Sequence, residues 1–340
     1  MKTITSFCGL SLLLALGKFI RSKIEFFQLH HVPSSIIAGI LGLMIIQISG
    51  DILPNYWTAG WSRLPVFLIN IVFAAFPLGS SIPSFSSIWK RAGPQFVYGQ
   101  IVAWGQYIIG IGLVLVMLGP LFTVPDLFGI IIPVGFEGGP GTAGGLRETF
   151  LQLGWAEGVD FSLASATVGV ISAIIAGTAL IHWAIKNGYI STPHKKNPLL
   201  SGETDSLYTL KAPSQMDAQS LSATSTSNFT LHVAIIGVSI LIGYSLRFIL
   251  VMIEKHALGL IQMKVFTLFP LFPLSMIGGL IVQFFLSRLS INSFQINNAS
   301  VQQISGTAMD FLIISAISTI KVKIIVKKII PFLLIITAGI

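Results

Sequence analysis

Long uninterrupted apolar runs recur along this chain, and they constrain its fold more than any other feature. Residues 94–118 and 229–252 are apolar on every face, whereas a strand of a membrane barrel alternates apolar and polar side chains over about ten residues. A hydrocarbon layer about 30 Å thick needs about 20 apolar residues per helix. Because only 9% of the residues are charged and 53% are hydrophobic, no soluble core could bury this apolar surface. The sequence predicts an all-α, polytopic transmembrane protein.

Positive charge is concentrated at particular ends of the apolar runs. Cations follow the first, third and fifth runs, and they are Lys18, Arg21, Lys23, Lys90, Arg91, Lys186, Lys195 and Lys196. Cytoplasmic loops of membrane proteins carry such an excess. The pattern predicts a multi-pass plasma-membrane (inner-membrane) protein, with the N-terminus outside and the central loop in the cytoplasm. The net charge of +8 is then an orientation signal and not a nucleic-acid-binding patch.

Nine apolar runs divide into two groups. We predict five helices in the first group, at residues 3–20, 33–48, 64–82, 95–118 and 161–186, and four runs in the second, at residues 229–252, 265–286, 304–320 and 329–340. The polar stretch between them is rich in Ser, Thr, Pro and Asn, which predicts a flexible linker. The expected organisation is an N-terminal membrane domain at 1–186, a cytoplasmic linker at 187–228 and a C-terminal membrane domain at 229–340.

The two groups resemble each other in pattern, which suggests an internal repeat. Five helices in the first half would give a second copy the opposite orientation, and this is the inverted-repeat layout of secondary transporters. One observation opposes the layout. Continuing the count places four cations outside, against the positive-inside rule, namely Lys321, Lys323, Lys327 and Lys328.

One glycine-rich segment lies beside apolar runs that are long enough to cross a membrane. Residues 135–145 read Gly-Phe-Glu-Gly-Gly-Pro-Gly-Thr-Ala-Gly-Gly, and apolar residues precede them. Gly costs about 1 kcal/mol against Ala inside a helix and Pro about 3, so we expect irregular backbone here. Lipid cannot satisfy free N–H and C=O groups, so such backbone must be buried in protein or line a watery cavity. The sequence predicts a re-entrant segment that enters from the outside and returns there.

The candidate substrate- and ion-binding residues lie within this segment or directly after it, and they are Glu137, Gly138, Gly139, Gly141, Thr142 and Arg147. Carbonyl groups coordinate a hard cation such as Na+, and an arginine fork suits a substrate carboxylate. The alternatives are tight helix packing by the glycines, charged side chains in water at the mouth of the segment, and a local cap at Thr142. The glycines include two consecutive pairs, Gly138-Gly139 and Gly144-Gly145, which a stripe of single glycines spaced by four would not contain, and this favours binding.

Other polar residues inside the apolar runs have weaker functional signals. Small polar residues in the fifth helix favour helix contact over binding, and they include Ser162, Ser165, Thr167, Ser172 and Thr178. Asp310 is either a buried counter-charge or a costly exposed group. No Ser/His/Asp arrangement, carboxylate pair, metal-ligand spacing or nucleotide motif is present in the sequence. We therefore expect neither an enzyme nor a cofactor.

At these residues the chain resembles the glutamate:Na+ symporter family of bacteria. Its members carry a Gly-Gly-His-Gly-Thr motif in a re-entrant loop between the fourth and fifth helices, where this chain has Gly138 to Thr142. Val32, Pro33 and the Ala38-Gly39 pair are also similar to the family's second helix. The resemblance implies Na+-coupled import of glutamate or a related acidic amino acid, two inverted five-helix domains and two re-entrant loops. Expected partners are glutamate or a similar dicarboxylate, Na+ and the lipid bilayer, with a homodimer as an open possibility.

The chain departs from the family pattern in two places. Pro140 stands where the motif has histidine, which removes a donor and puts the identity of the substrate in question. The family's second glycine-rich loop should follow a ninth helix, and the chain reaches Ile340 before such a loop. The sequence therefore leaves two hypotheses open. The chain is either a Na+-coupled symporter or a truncated, split or degenerate protein that does not transport alone.

Overall fold

The computed structural model describes residues 2–49, 57–58, 60–80, 85–189, 221–257, 264–289 and 296–340, and these residues form helices and no β-strand. In chain order the helices are α1 (Lys2–Lys23), α2 (Glu25–Leu29), α3 (Ser34–Ser49), α4 (Leu64–Ala75), α5 (Phe85–Leu113), α6 (Gly119–Phe122), α7 (Gly139–Gly145), α8 (Arg147–Gln152), α9 (Gly158–Lys186), α10 (Leu221–Ala257), α11 (Val265–Leu268), α12 (Leu271–Leu289), α13 (Asn298–Ser318), α14 (Val322–Lys327) and α15 (Ile329–Gly339). Every predicted apolar run overlaps at least one of them.

Several of these helices are long and apolar enough to cross a membrane. The described residues contain five such segments, which are Ile4–Lys23, Ile88–Phe122, Gly158–Lys186, Phe229–His256 and Leu271–Arg288. Shorter apolar helices at Ser34–Ser49, Trp61–Ala75 and Ile329–Gly339 accompany them. The predicted all-α, polytopic membrane architecture is confirmed.

Two predicted helices end or break earlier than their apolar pattern indicated. The run predicted to Ile82 leaves the helix at Ala75, because Pro77 cannot donate a backbone hydrogen bond and Gly79 has a φ of +76°. The run predicted from residue 265 breaks before Pro270, where Phe269 is extended at φ −68° and ψ 127°. The residue before a proline disfavours helical backbone, so α11 and α12 are separate.

Helix α13 occupies the centre of the bundle, with α3 on one side and α4 on another. Most residues of its last turns are buried, and 0% of Leu312, Ile314 and Ile317 is exposed. α4 and α13 run antiparallel. A Cβ on Gly144 would lie 2.6 Å from Pro65 Cβ, in the first turn of α4, and 3.6 Å from Ala316 Cβ, near the end of α13. A Cβ on Gly79, beyond the other end of α4, would lie 3.1 Å from Asn298 Cα, at the start of α13. Asn297 caps α13 by accepting the Ala299 N–H at 2.9 Å.

Helices α10 and α12 form a tightly packed antiparallel pair beside α4. A Cβ on Gly243 would lie 2.7 Å from the Leu274 carbonyl carbon, so the two backbones meet closely there. At the connection between them, Glu254 accepts the backbone N–H groups of Phe266 at 2.8 Å and Thr267 at 2.9 Å. These bonds tie the end of α10 to α11, which leads into α12.

The division into two membrane domains and the inverted repeat stay predictions. Helix α10 begins at Leu221, inside the segment predicted as a linker, and residues 190–220 of that segment lie outside the described residues. Helix α13 of the second predicted domain packs against α3 and α4 of the first. The two groups of helices therefore share an extensive interface.

Candidate functional site

The glycine-rich segment forms a hairpin whose two ends lie together. The Trp155 ring packs against Phe128, which precedes the segment, with ring centroids 6.1 Å apart, and against Phe150, which follows it, at 5.5 Å. Phe161, in the first turn of α9, lies 6.3 Å from Trp155 between ring centroids. The chain therefore enters and leaves at the same end of α9, as expected for a re-entrant segment.

The descending arm of the hairpin, which is the turn at Pro133–Glu137, lies against α9. A Cβ on Gly135 would lie 2.6 Å from Ser165 Cβ, and a Cβ on Gly169 would lie 2.8 Å from Phe136 Cδ1. Gly169 follows Phe161 in α9 by eight residues, which at 1.5 Å per residue is about 12 Å. Phe136 is thus far below the aromatic cluster at the mouth of the hairpin. Glycine at both contacts allows the two backbones to meet.

The ascending arm is α7, and it packs against α4 and α13. A Cβ on Gly141 would lie 3.5 Å from Ile69 Cδ1 and 3.7 Å from Leu312 Cδ2. Three residues later, a Cβ on Gly144 would lie 2.6 Å from Pro65 Cβ. Because Pro65 precedes Ile69 in α4, α7 runs back toward the N-terminal end of α4. We call residues 133–145 the glycine hairpin.

The expectation of irregular backbone throughout this segment was wrong. Gly139–Gly145 is a short α-helix, and the turn before it, Pro133–Glu137, is π-helical. Pro140 is the second residue of α7. A backbone N–H at this position has no hydrogen-bond partner within the helix, so proline costs no helical hydrogen bond there. Packing against α4, α9 and α13 outweighs the low helix propensity of glycine. The backbone departs most from helical geometry at the tip, where Gly139 has a φ of +67°.

The predicted binding residues at the tip differ in exposure. Glu137 is exposed, Gly141 is buried and Thr142 is half-buried. A Cβ on Gly138 would lie 2.6 Å from the Val134 carbonyl oxygen and 2.7 Å from Thr142 Cβ, so this position has room only for glycine. Thr142 does not cap α7, because its N-cap is Gly138 and no side chain makes the capping bond.

Arg147 is the first residue of α8, directly after α7 ends near the mouth of the hairpin, and it is half-buried. Its Nε is buried and has no hydrogen-bond partner in the described part of the chain. Burial lowers the pKa of the Arg147 guanidinium from its ordinary value, while the nearby charges of Asp160 and Glu148 raise it. Arg147 therefore keeps an unused donor beside the mouth of the hairpin.

Asp160, in the first turn of α9, was not among the residues predicted from the sequence. Only 4% of this residue is exposed, and its Oδ1 accepts the Lys321 backbone N–H at 2.8 Å. The bond joins α9 to the start of α14, just after α13 ends. The signal for it was a carboxylate directly before an apolar run, where charge is costly to bury.

The other charged and cavity-lining residues are separate from the hairpin. Asp310 is half-buried on α13. A cavity of about 600 Å³ lies between α1, α4, α10 and α13, and apolar side chains such as Phe7, Leu68 and Phe311 dominate its lining. A charged amino acid would lose its hydration there without new hydrogen bonds. The glycine hairpin is therefore the candidate site.

Comparison with known proteins identifies one family. The family model described as sodium/glutamate symporter matches residues 1–339. The comparisons with curated proteins and with solved structures give no match. The family match extends through both groups of helices, so nothing favours the alternative of a degenerate protein that does not transport. Together with the membrane-spanning helices and the glycine hairpin, it shows that this chain belongs to the sodium/glutamate symporter family.

Proposed function

We propose that the glycine hairpin is the place where this sodium/glutamate symporter binds its two substrates. The observation that carries the proposal is the geometry of the hairpin, which enters and leaves at one end of α9 and places Phe136 opposite Gly169. Main-chain groups reach far into the bundle in this way. Discontinuous helices at such depth are the usual substrate and ion sites of secondary transporters.

In this proposal Na+ binds to main-chain oxygen atoms around the tip of the hairpin. The residues concerned are Gly138, Gly139, Gly141 and Thr142, and Thr142 adds a hydroxyl group. The π-helical turn at Pro133–Glu137 supports it, because a π-turn interrupts the regular hydrogen-bond ladder and such turns are frequent at functional sites. Glu137 is exposed beside the tip, where its negative charge attracts the cation.

Glutamate binds through Arg147 in the same proposal. The guanidinium is half-buried and has an unpartnered Nε within the described residues. A planar fork of N–H donors matches a carboxylate and binds it more strongly than a neutral donor would. Pro140 in place of the family's histidine removes one side-chain donor, so more of the recognition of the acidic substrate falls on Arg147.

Orientation and movement complete the proposal. The cations Lys18, Lys90 and Lys186 lie at the cytoplasmic side of a bacterial inner membrane, and the N-terminus lies outside. The mouth of the hairpin, near Trp155, then faces outward. Alternating access results from movement of the two helix groups relative to each other around the site.

Substitution of Arg147 tests the role in glutamate binding. In proteoliposomes we expect Arg147→Gln to raise the KM for glutamate about tenfold or more, because a charge-assisted hydrogen bond contributes about 1.5–3 kcal/mol. Arg147→Lys should retain part of the affinity, since lysine keeps the charge and loses the fork. Arg63→Gln, at an exposed arginine before α4, is the matched control. An unchanged KM in Arg147→Gln would remove Arg147 from the site.

A further inference from the structure

The hydroxyl groups of Ser162 and Ser165 on α9 are polar groups that folding alone does not explain. Both side chains are 0% exposed, and neither Oγ has a hydrogen-bond partner in the part of the chain that the structure describes. Buried hydroxyls nearly always have a partner, because an unpaired one has given up its hydrogen bonds to water. Residues three apart share a face of a helix. Two unpartnered hydroxyls on one face of α9 point to a ligand.

Other helical hydroxyls in this protein behave differently. Thr167, also on α9, donates to the Leu163 carbonyl oxygen at 2.8 Å. Ser239 on α10 is 0% exposed and donates to the carbonyl four residues earlier at 2.9 Å. Such bonds to the preceding turn are the ordinary choice of a hydroxyl inside a helix. Ser162 and Ser165 have helical backbone before them and do not make this bond.

The surroundings of the Ser165 hydroxyl limit the size of the ligand. Both the π-helical turn and α7 pack against α9. The Ser165 Oγ contacts the position that a Cβ on Gly135 would occupy, and such a Cβ would lie 2.8 Å from the Ala166 backbone N. At Ser165 the two backbones are too close for a whole glutamate, so a ligand of this hydroxyl must be as small as an ion.

We propose that the hydroxyl oxygens of Ser162 and Ser165 coordinate a coupling Na+ at the level of Gly135, nearer the mouth than the tip, together with main-chain carbonyl oxygens of the hairpin. The inference rests on the proposed function and adds the side-chain ligands of the ion. A serine hydroxyl keeps two lone pairs for a ligand, and hard cations take hydroxyl and carbonyl oxygen. The sequence favoured helix contact for this polar stripe, whereas the unpartnered Oγ atoms assign ion binding to these two members.

The test is thermal unfolding of the purified full chain against increasing NaCl, without glutamate and with choline replacing Na+ at constant ionic strength. Na+ that binds the folded state raises the Tm of the wild type in a saturable manner. Loss of a supporting partner alone costs about 10–100-fold in metal affinity. We therefore expect Ser162→Ala and Ser165→Ala each to raise the half-saturating Na+ concentration about tenfold or more. Ser239→Ala is the matched control, with an unchanged Na+ response.

A second readout separates ion binding from a structural role. In Na+-free buffer the Tm of Ser162→Ala and Ser165→Ala should equal or exceed that of the wild type, because alanine removes an unpaired buried hydroxyl. A lower Tm there, or a wild-type Na+ response in both variants, would overturn the assignment, as would a wild type that Na+ does not stabilise. Na+-driven glutamate uptake by the wild type is measured separately. Its absence would contradict the proposed function, whereas uptake with an unchanged Na+ dependence in both variants would contradict only the serine ligands.

Discussion

Two glycines of α7, three residues apart, should differ in the stability change that replacement by alanine produces. A Cβ on Gly144 would lie 2.6 Å from Pro65 Cβ and 3.3 Å from Pro65 Cγ, whereas a Cβ on Gly141 would meet Ile69 Cδ1 at 3.5 Å. The Pro65 ring is closed onto the backbone in the first turn of α4 and cannot rotate away. Gly144→Ala therefore forces α7 and α4 apart, and Gly141→Ala makes an ordinary contact.

The expected magnitudes follow from two opposing terms. Both variants gain about 1 kcal/mol of helix propensity relative to glycine. Gly144→Ala also suffers overpacking, which costs about 1–3 kcal/mol. The propensity gain is the same in both variants and cancels when they are compared. Gly144→Ala should therefore have a free energy of unfolding about 1–3 kcal/mol lower than Gly141→Ala.

The assay is unfolding in detergent followed by intrinsic tryptophan fluorescence, since the chain has six tryptophans. Glutamate uptake by both variants in proteoliposomes shows whether the hairpin still works when α7 is displaced. At equal amounts of folded protein, we expect slower glutamate uptake by Gly144→Ala than by Gly141→Ala. Equal stability of the two variants would refute the close packing of α7 on α4.

Three further changes test the helix contacts and the orientation. Gln283→Leu should lower the free energy of unfolding by about 1–3 kcal/mol, because the Gln283 side chain accepts the Gly79 N–H at 3.0 Å; wild-type stability in a denaturation experiment would contradict this contact. Asp160→Ala should destabilise the protein more than Asp160→Asn, which keeps an oxygen acceptor, and equal melting curves would show that the bond contributes nothing. In a Cys8→Ser background, a membrane-impermeant maleimide should label Glu148→Cys from outside intact cells and Lys186→Cys only after permeabilisation, whereas the reverse labelling would invert the orientation.

The sequence predicted the membrane class well because apolar run length is a direct physical requirement of the bilayer. It also located the glycine hairpin by its consecutive glycine pairs, although Gly135 and Gly144 allow close helix packing, the alternative that the sequence had disfavoured. The helical state of α7 could not be predicted, because it depends on packing against α4, α9 and α13 that outweighs local propensity. The break before Pro270, by contrast, had a local signal that the length of the apolar run concealed.

The finer chemistry of the site depended on distances that no sequence pattern supplies. Ser162 and Ser165 look in the sequence like members of an ordinary polar stripe, and only the missing hydrogen bonds distinguish them from Thr167. Asp160 contacts a backbone N–H from a segment 161 positions away. Such long-range contacts follow from tertiary structure, and local periodicity does not encode them.

The most direct measurement of Na+-coupled glutamate transport is uptake of radiolabelled glutamate into proteoliposomes that contain this chain alone. Uptake is measured with an inward Na+ gradient, with K+ replacing Na+, and with the gradient abolished by an ionophore. We predict concentrative glutamate uptake that requires the Na+ gradient. Well-folded protein that takes up no glutamate, or takes it up equally without Na+, would contradict Na+-coupled glutamate transport by this chain.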